Sequence, residues 1–323
     1  MTNFQIYKKT LSFSFIKFAV DLVALIAVVG ASIAGFLIAG KAFNNSIIGL
    51  PIGLVIGIII ASLIEFFISN RIKAAHIAMI TKGITEDKLP EHTTKAGFDE
   101  IKGRFGKITV FFLITKAIKG IFNQIGRSIN QLGTAVGGDV GNGVTSAINS
   151  AIQVVIGYLC DCCLGWVLYR KDINSFKAGC EGAVIFFKHG KTLVKNVGRI
   201  FGMGLLSLII FGGAFFGLSF LILNALPGFI STLSNEIIQL GINNDIDIPS
   251  FVSNITLLTV VISAILAVVL WSMLHSVIAR PFILVGVMRN FMAAGKAHIP
   301  SESEFQEVAA KSPKFARLLE KAK

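Results

Sequence analysis

The sequence lacks basic residues over one long internal stretch. No Lys or Arg occurs from Ile200 to Ala279, although the formal net charge of the chain is +12. Two apolar runs lie within this stretch, Ile200 to Leu223 and Ile255 to Leu274, and the loop between them carries three acidic residues. Short loops rich in Lys and Arg stay on the cytoplasmic side of a membrane. The pattern therefore predicts a helical hairpin that crosses outward and returns.

The chain also lacks the motifs of catalysis and cofactor binding. No nucleophile–base pair or zinc-ribbon spacing is recognisable, and the glycine-rich stretch from Gly137 to Gly143 does not end in the Lys-Ser/Thr of a phosphate loop. The four cysteines lie between Cys160 and Cys180 and are expected to be small apolar packing residues. We therefore expect no catalytic residues, no metal, no cofactor and no enzymatic activity.

The composition is that of a polytopic membrane protein. Hydrophobic residues make up 54% of the 323 residues and the mean hydropathy is +0.75, whereas soluble domains have about 45–50% apolar residues. A hydrocarbon core of roughly 30 Å needs about 20 helical residues. Leu22 to Ala39 and Ile47 to Ile68 meet this requirement or nearly so, which gives four clear spans with the two runs above.

Two weaker apolar segments, 108–125 and 147–169, decide the topology. Of the 30 basic residues, 26 fall into four zones, which are 1–17, 70–107, 170–199 and 280–323. If all four zones are cytoplasmic, an even number of crossings separates the second zone from the third. Either both weaker segments span, giving six helices, or neither does. We favour six, with both termini cytoplasmic in a plasma or inner membrane.

The predicted spans and basic zones indicate an all-α membrane helix bundle of about six transmembrane helices, with basic amphipathic helices on the cytoplasmic face. That face is expected to contact anionic lipids of the bilayer. Basic loops are typical of any inner-facing membrane surface, so we expect no nucleic-acid partner. The predicted regions are an N-terminal hairpin (1–69), a cytoplasmic connector (70–107), two weaker spans with an amphipathic segment (108–199), a C-terminal hairpin with a short apolar helix (200–293) and an exposed cytoplasmic tail (294–323).

Small residues recur every four positions in the second predicted helix. Such spacing lets a neighbouring helix approach closely, which is the main packing device where lipid cancels the hydrophobic effect. The first helix has similar spacing, and the weaker span at 147–169 has a shorter version. The expected packing residues are Gly49, Gly53, Gly57, Ala61, Gly157 and Gly165.

Three acidic residues lie inside predicted helices, close to their cytoplasmic ends. They are Asp21, Glu65 and Asp161, and His275 and Arg280 are candidate partners at the inner end of the last span. A charged group in a span costs about 2.5–3.5 kcal/mol on insertion scales, so it normally faces the bundle interior and finds a partner. These five residues are our candidate substrate or ion site, for a cation, a proton or a cationic substrate. The alternative is a set of structural ion pairs.

The stretch from Cys160 to Phe215 resembles the late part of choline transporter-like membrane proteins. The resemblance covers the C-terminal half and consists of a cysteine-rich helix, a basic segment and an amphipathic stretch that leads into another span. The residues that carry it are Trp166, Asn174, Phe176, Gly179, Cys180, Asn196 and Arg199. It implies a multi-pass permease for a small organic cation.

Two functions from different classes therefore stay open. A permease would use the three acids as a polar site between closely packed helices. A membrane scaffold that transports nothing would use the same glycines for packing and its basic surface for anionic lipid or a partner.

Overall fold

The computed structural model describes residues 1–43, 46–105, 110, 113–121, 123–124, 142–245 and 247–322. Residues 125–141, which include most of the glycine-rich stretch, and parts of the weaker segment 108–125 lie outside these residues. In chain order the helices are α1 (Asn3–Phe43), α2 (Ser46–Ile64), α3 (Asn70–Thr85), α4 (Thr93–Phe105), α5 (Asn142–Tyr169), α6 (Ser175–Ser207), α7 (Gly213–Asn224), α8 (Pro227–Asn244), α9 (Ile255–Val277), α10 (Ala279–Ala297), α11 (Glu302–Lys311) and α12 (Pro313–Glu320). Single π-helical turns, Glu65–Ser69 and Leu208–Gly212, join α2 to α3 and α6 to α7.

The fold is all-α, as predicted, because the described part of the chain contains no strand. Four of its helices are long and apolar enough to cross a membrane: Asn3–Ala42, Gly49–Thr85, Gly202–Asn224 and Ile255–Val277. Only 6% to 22% of the most apolar window of each is buried within the protein. Their remaining apolar surface requires an apolar environment, which identifies a membrane protein.

The two weaker segments do not add to these four helices in the residues described. Gln153–Tyr169 is a shorter apolar helix, and Cys162, Cys163 and Trp166 within it are fully buried by protein. Residues 113–121 are helical, and Ile114, Ile118 and Ile121 are buried. Of the two topologies that the charge pattern left open, the four-span alternative matches this count. The six that we favoured exceeds this count of the described residues, in which Ile114, Ile118, Cys162 and Trp166 of the weaker segments are buried by protein while Leu113 and Val154 are exposed.

The chain forms two compact units. Unit 1 comprises Met1–Ile16, Asn70–Phe201 and Arg280–Lys323, and unit 2 comprises Lys17–Ser69 and Gly202–Ala279. Unit 2 therefore contains most of the apolar length of the four long helices. Unit 1 is assembled from the segments that precede, separate and follow them.

In unit 2, α1 and α2 pack backbone against backbone along the small residues that recur every four positions in α2. A Cβ on Gly49 would overlap the carbonyl oxygen of Gly35, and a Cβ on Gly53 would overlap that of Ala31. A Cβ on Gly57 would lie 2.6 Å from the Cα of Val28. Such close approach extends van der Waals contact along both helices, and only glycine leaves room for it.

The remaining helices of unit 2 are joined by short, capped connections. Pro227 occupies the first turn of α8, and Asp245 ends this helix in the left-handed conformation with φ of 52°. The Asn254 side chain accepts a hydrogen bond from the Leu257 amide at 3.1 Å and caps the start of α9. Leu223, Ile230 and Leu258 form a small buried cluster on α7, α8 and α9.

Unit 1 has the interior of a folded domain. Ten of the 16 residues of α3 are buried, and the start of α1 packs on them through Phe13, whose ring stacks on His76 at 5.3 Å between centroids. Thr10 lies 3.1 Å from His76 Nε2, which satisfies both buried polar groups. A Cβ on Gly97 of α4 would lie 2.6 Å from the Phe13 ring, so α4 covers the same site closely.

A second part of this interior lies around Trp166 on α5. Gly165 faces Thr81 and Met288, because a Cβ there would lie 2.8 Å from Thr81 Oγ1 and 2.9 Å from Met288 Sδ. Gly295 on α10 is equally close to the Trp166 ring. Helix α5 thus packs against both α3 and α10.

The C-terminal tail is not an exposed helix, contrary to our expectation. It forms α11 and α12, whose apolar side chains join a buried cluster with residues of α6. The members are Ile121, Cys180, Ala183, Val184, Phe305, Val308, Phe315, Leu318 and Leu319. Most charged residues of this tail, such as Glu307 and Lys311, lie on the exposed faces of two short amphipathic helices, and the Phe and Leu residues on the opposite faces determine the packing.

We predict that Gly53→Ala destabilises the protein by about 1–3 kcal/mol, because the added Cβ overpacks a backbone contact. The matched control is Gly213→Ala, also in an apolar helix, where a Cβ meets nothing within 4 Å. That change is expected to be neutral or to stabilise by up to about 1 kcal/mol, since Ala favours helix over Gly. Thermal unfolding in detergent measures both. Equal shifts for the two variants would contradict the close contact.

Candidate functional site

Asp161 on α5 is a buried carboxylate that two basic side chains share. Lys73 Nζ lies 2.6 Å from Asp161 Oδ1, and Arg280 Nη2 lies 3.1 Å from Oδ2. The Asp161 side chain is only 3% exposed, whereas those of Lys73 and Arg280 are 35% and 39% exposed. The two cations thus reach from the surface of unit 1 to one buried acid.

An aromatic ring and a glycine complete this group. The Arg280 guanidinium lies 5.7 Å from the centre of the Tyr158 ring, within the range of a cation–π contact. Gly157 lies beside the same guanidinium, because a Cβ there would be 3.9 Å from Arg280 Nη2. Counting one carboxylate against two cations, the group has a formal charge of +1. The charge of the buried Asp161 carboxylate is therefore compensated by basic side chains of the protein itself.

Asp21 in unit 2 has different partners. Lys17, one helical turn earlier on α1, donates to both of its oxygens at 2.7 and 2.9 Å. Ser69 Oγ donates to Asp21 Oδ1 at 3.2 Å, which ties α1 to the end of the π-helical turn. This is an ion pair whose charges cancel, with both side chains about a quarter exposed.

Glu65 opens the π-helical turn between α2 and α3 and is exposed. The next three residues, Phe66, Phe67 and Ile68, are also exposed and apolar, at 44% to 48%. A π-helical turn inserts an extra residue into a helix and is frequent at functional sites. Among the three predicted acids, Glu65 alone lies on a surface that is otherwise apolar.

His275 on α9 lies 3.0 Å from the Ser207 hydroxyl through Nδ1. The same hydroxyl accepts a hydrogen bond from Trp271 Nε1 at 3.1 Å and donates to the Gly204 carbonyl. His275 therefore takes part in a polar contact between α6 and α9.

Of the five predicted site residues, the structure brings Asp161 and Arg280 together. The sequence did not single out Lys73, because it is one of eight basic residues in the predicted cytoplasmic connector 70–107. Only the fold of α3 against α5 places its ammonium on Asp161. Helical spacing of Gly157 and Asp161 does place both on one face of α5, which was visible in the sequence.

A second buried carboxylate was also missed. Glu181 on α6 accepts hydrogen bonds from Trp166 Nε1 at 2.9 Å and from Arg170 at 2.7 Å. Arg170 also pairs with the exposed Asp172. The Arg104 guanidinium donates to the carbonyls of Val167, Arg170 and Ile173, which satisfies the end of α5. These contacts hold α4, α5 and α6 together and have the character of structural bonds.

The cysteines have no features of a reactive or metal-binding group. In the part of the chain that the structure describes, no cluster of three His, Cys, Asp or Glu residues could hold a metal ion. Burial raises the pKa of the Cys180 thiol to about 12, so it is neutral at physiological pH. Cys162 and Cys163 are also fully buried.

Unit 1 also carries an open cleft of about 590 Å³. Its walls include Lys82, Asp99, Arg104 and Lys171. Arg104 is already directed at the backbone carbonyls described above, and Lys171 pairs with Glu100. Arg104 and Lys171 in the cleft are therefore already engaged by groups of the protein.

We predict that Asp161→Asn destabilises the protein by roughly 1–3 kcal/mol, because two cations lose their shared counterion. Asp172→Asn is the matched control, since the Asp172 side chain pairs with Arg170 but is 62% exposed. Exposed pairs contribute about 0–1 kcal/mol, so the control is expected to change little. Chemical or thermal unfolding of both variants tests this. A variant Asp161→Asn as stable as the wild type would show that the carboxylate is not a structural counterion.

No protein-family model matches this chain, and comparisons with curated proteins and with solved structures find no match either. The resemblance to choline transporter-like proteins therefore stays a prediction from the residues that carry it.

Proposed function

We propose that this protein is a membrane-anchored scaffold that does not itself transport a solute and that binds anionic lipid headgroups through a basic cytoplasmic part. Unit 2 is the membrane anchor in this proposal, and unit 1 is the binding part. The observation that carries the proposal is the separation of charge between the two units.

Unit 1 contains 28 Lys and Arg residues against 13 Asp and Glu, a formal charge of +15. Unit 2 contains 2 against 5, a formal charge of −3. Unit 1 thus contains nearly all the basic residues of the chain. A basic surface next to a bilayer is attracted to anionic headgroups by about 1 kcal/mol per Lys or Arg near the surface.

The connectivity supports a topology with four crossings and both termini cytoplasmic. The chain passes between the units at residues 16/17, 69/70, 201/202 and 279/280. Each pair of long helices therefore leaves unit 1 and returns to it, which is the connectivity of two membrane hairpins. The high positive charge of unit 1 favours the cytoplasmic side for it.

The surroundings of Asp161 argue against a cation permease. A cationic substrate site needs an acid with negative charge to offer, but Asp161 already has two cations, and Asp21 already has Lys17. Glu65 is the acid that favours the second candidate, a permease for a small organic cation. Its place in a π-helical turn is the observation behind that candidate.

The topology can be tested with cysteines placed in a background without the four native thiols. Gln239→Cys on α8 is expected to react with an impermeant thiol reagent added outside intact cells, and Glu91→Cys is not. Both positions are exposed, so permeabilised cells provide the control in which both react. Labelling at position 91 in intact cells would refute a cytoplasmic unit 1.

The binding function can be tested by thermal unfolding of the full chain in a neutral detergent. We expect phosphatidylglycerol to raise Tm through preferential binding to the folded state, and phosphatidylcholine to have a much smaller effect. The shift should weaken in high salt, since the screening length falls from about 10 Å at 0.1 M to about 3 Å at 1 M.

Choline chloride, compared with sodium chloride at the same concentration, tests the permease candidate in the same assay. A choline-dependent rise in Tm that is lost in Glu65→Gln would favour the permease. Equal responses to the two lipids would refute the scaffold proposal.

A further inference from the structure

We propose that α8, which connects the long helices α7 and α9 of unit 2, lies on the membrane surface with its apolar side at the boundary between lipid headgroups and acyl chains. This inference goes beyond the proposed function, because it concerns unit 2 and not the basic residues of unit 1. The partner that it assigns to α8 is the bilayer, which the helix contacts through apolar side chains alone.

Helix α8 has one polar side. Its exposed polar residues are Thr232, Asn235, Glu236, Gln239 and Asn243. At 3.6 residues per turn these five positions fall within about 100° of the helix circumference. Glu236 is the only charged residue of the helix. The polar side of α8 is therefore a narrow and nearly neutral stripe.

The opposite side is mainly apolar, and protein covers only its middle. Ile230 and Ser234 lie at the centre of this side and are 0% and 3% exposed. Phe229 on one flank and Ile242 on the other are 58% and 68% exposed. Two large apolar side chains thus stand uncovered on either side of a buried centre, which is the pattern of a helix that needs a further apolar neighbour.

The start of α8 lies at the end of the two long helices that it connects. Ile230 packs in one buried cluster with Leu223, in the last turn of α7, and Leu258, in the first turn of α9. The long helices Gly202–Asn224 and Ile255–Val277 have 23 residues each. At 1.5 Å per residue this is about 35 Å, against a hydrocarbon core of roughly 30 Å. The helix ends, and Ile230 with them, therefore lie at the boundary of the core.

Two local contacts keep α8 near this boundary. Only Ala225 and Leu226 separate it from α7. One turn after Ile230, the Ser234 hydroxyl donates to the Val252 carbonyl at 2.7 Å, in the loop just before α9. Two positions one turn apart on α8 are thus held beside the start of α9.

The uncovered flanks of α8 adjoin apolar surface that faces lipid. Leu221 and Ile222 at the end of α7 are 68% and 52% exposed, and Ile255 and Leu257 at the start of α9 are 45% and 48% exposed. These residues belong to helices whose apolar surface requires hydrocarbon. Because the first turn of α8 packs at the ends of these helices, the lipid that covers them also reaches Phe229. Burial of the apolar face at the headgroup–acyl boundary is the usual arrangement of an interfacial helix.

The charge of α8 separates this contact from the lipid binding proposed for unit 1. The helix contains no Lys or Arg, so anionic headgroups do not attract it. Its affinity for the bilayer comes from buried apolar area, which salt does not screen. The same contact is therefore expected in neutral and in anionic bilayers.

Electron paramagnetic resonance of single spin labels measures the depth of α8 in phosphatidylcholine nanodiscs. Phe229→Cys and Ile242→Cys place a label on each apolar flank. Thr232→Cys and Asn243→Cys are the matched controls on the polar side, close to the first two in the chain. Collisions with oxygen, which partitions into lipid, and with a nickel chelate, which stays in water, give the depth of each label. The full chain without its four native thiols is used. If this background does not fold, the native thiols are kept and the signal of the labelled wild type is subtracted.

We expect the labels at positions 229 and 242 to lie about 5–10 Å below the headgroup level, and both control labels to collide mainly with the nickel chelate. Equal access of the chelate to all four labels would overturn the proposal, because α8 would then extend into water. Shielding of positions 229 and 242 from both reagents, with dipolar broadening between labels, would also overturn it and identify a second copy of the chain as the neighbour.

A second arm repeats the measurement with phosphatidylglycerol in the nanodiscs and in high salt. We expect the depths at positions 229 and 242 to stay unchanged. A depth that appears only with phosphatidylglycerol, or that is lost in high salt, would overturn burial through the apolar side alone. The Tm response of the full chain to phosphatidylglycerol tests the proposed function separately, so either inference can fail while the other stands.

Discussion

The structure depends on one constraint, which is that four long helices leave most of their apolar side chains uncovered by protein. Hydrocarbon is the environment that makes this arrangement stable, and hydrocarbon requires every backbone amide and carbonyl to be bonded within a helix. Because a charged side chain is costly to bury in hydrocarbon, most charged residues lie in the segments that connect these helices. The contrast between a unit of charge +15 and one of −3 follows from the same constraint.

Inside a bilayer, helices gain little from burying apolar surface, so they associate by close packing. The contact of Gly49 and Gly53 with the backbone of α1 is of this kind. Unit 1, in contrast, has an interior of large apolar side chains. There Phe13, Trp166 and Phe315 are fully buried, and polar groups such as Glu181 are bonded to Trp and Arg side chains. The apolar helices of unit 2 therefore associate by close backbone packing, whereas unit 1 is stabilised by burial of large apolar side chains.

The acids show how position decides function. An aspartate in an apolar helix suggests a cation site, but a buried aspartate that is paired with two cations has its charge already compensated. Asp161 belongs to the second case because α3 and α10 bring Lys73 and Arg280 to its two oxygens. Asp21 has one cation and no excess of charge. The resemblance implies a cationic substrate, whereas the carboxylates of Asp161 and Asp21 are already paired with basic side chains of the protein.

The sequence by itself determined the all-α class, the membrane environment, the four long helices and the small-residue faces of α1 and α2, because hydropathy and four-residue spacing are local properties of a helix. It also indicated which segments are basic. Only the tertiary structure decided that Cys162 and Trp166 are buried in a folded unit, that the tail is buried through Phe305 and Phe315, and that Lys73 meets Asp161. Those outcomes depend on contacts between residues far apart in the chain, and an apolar segment of about 17 residues carries no local mark that tells a bilayer from a protein interior.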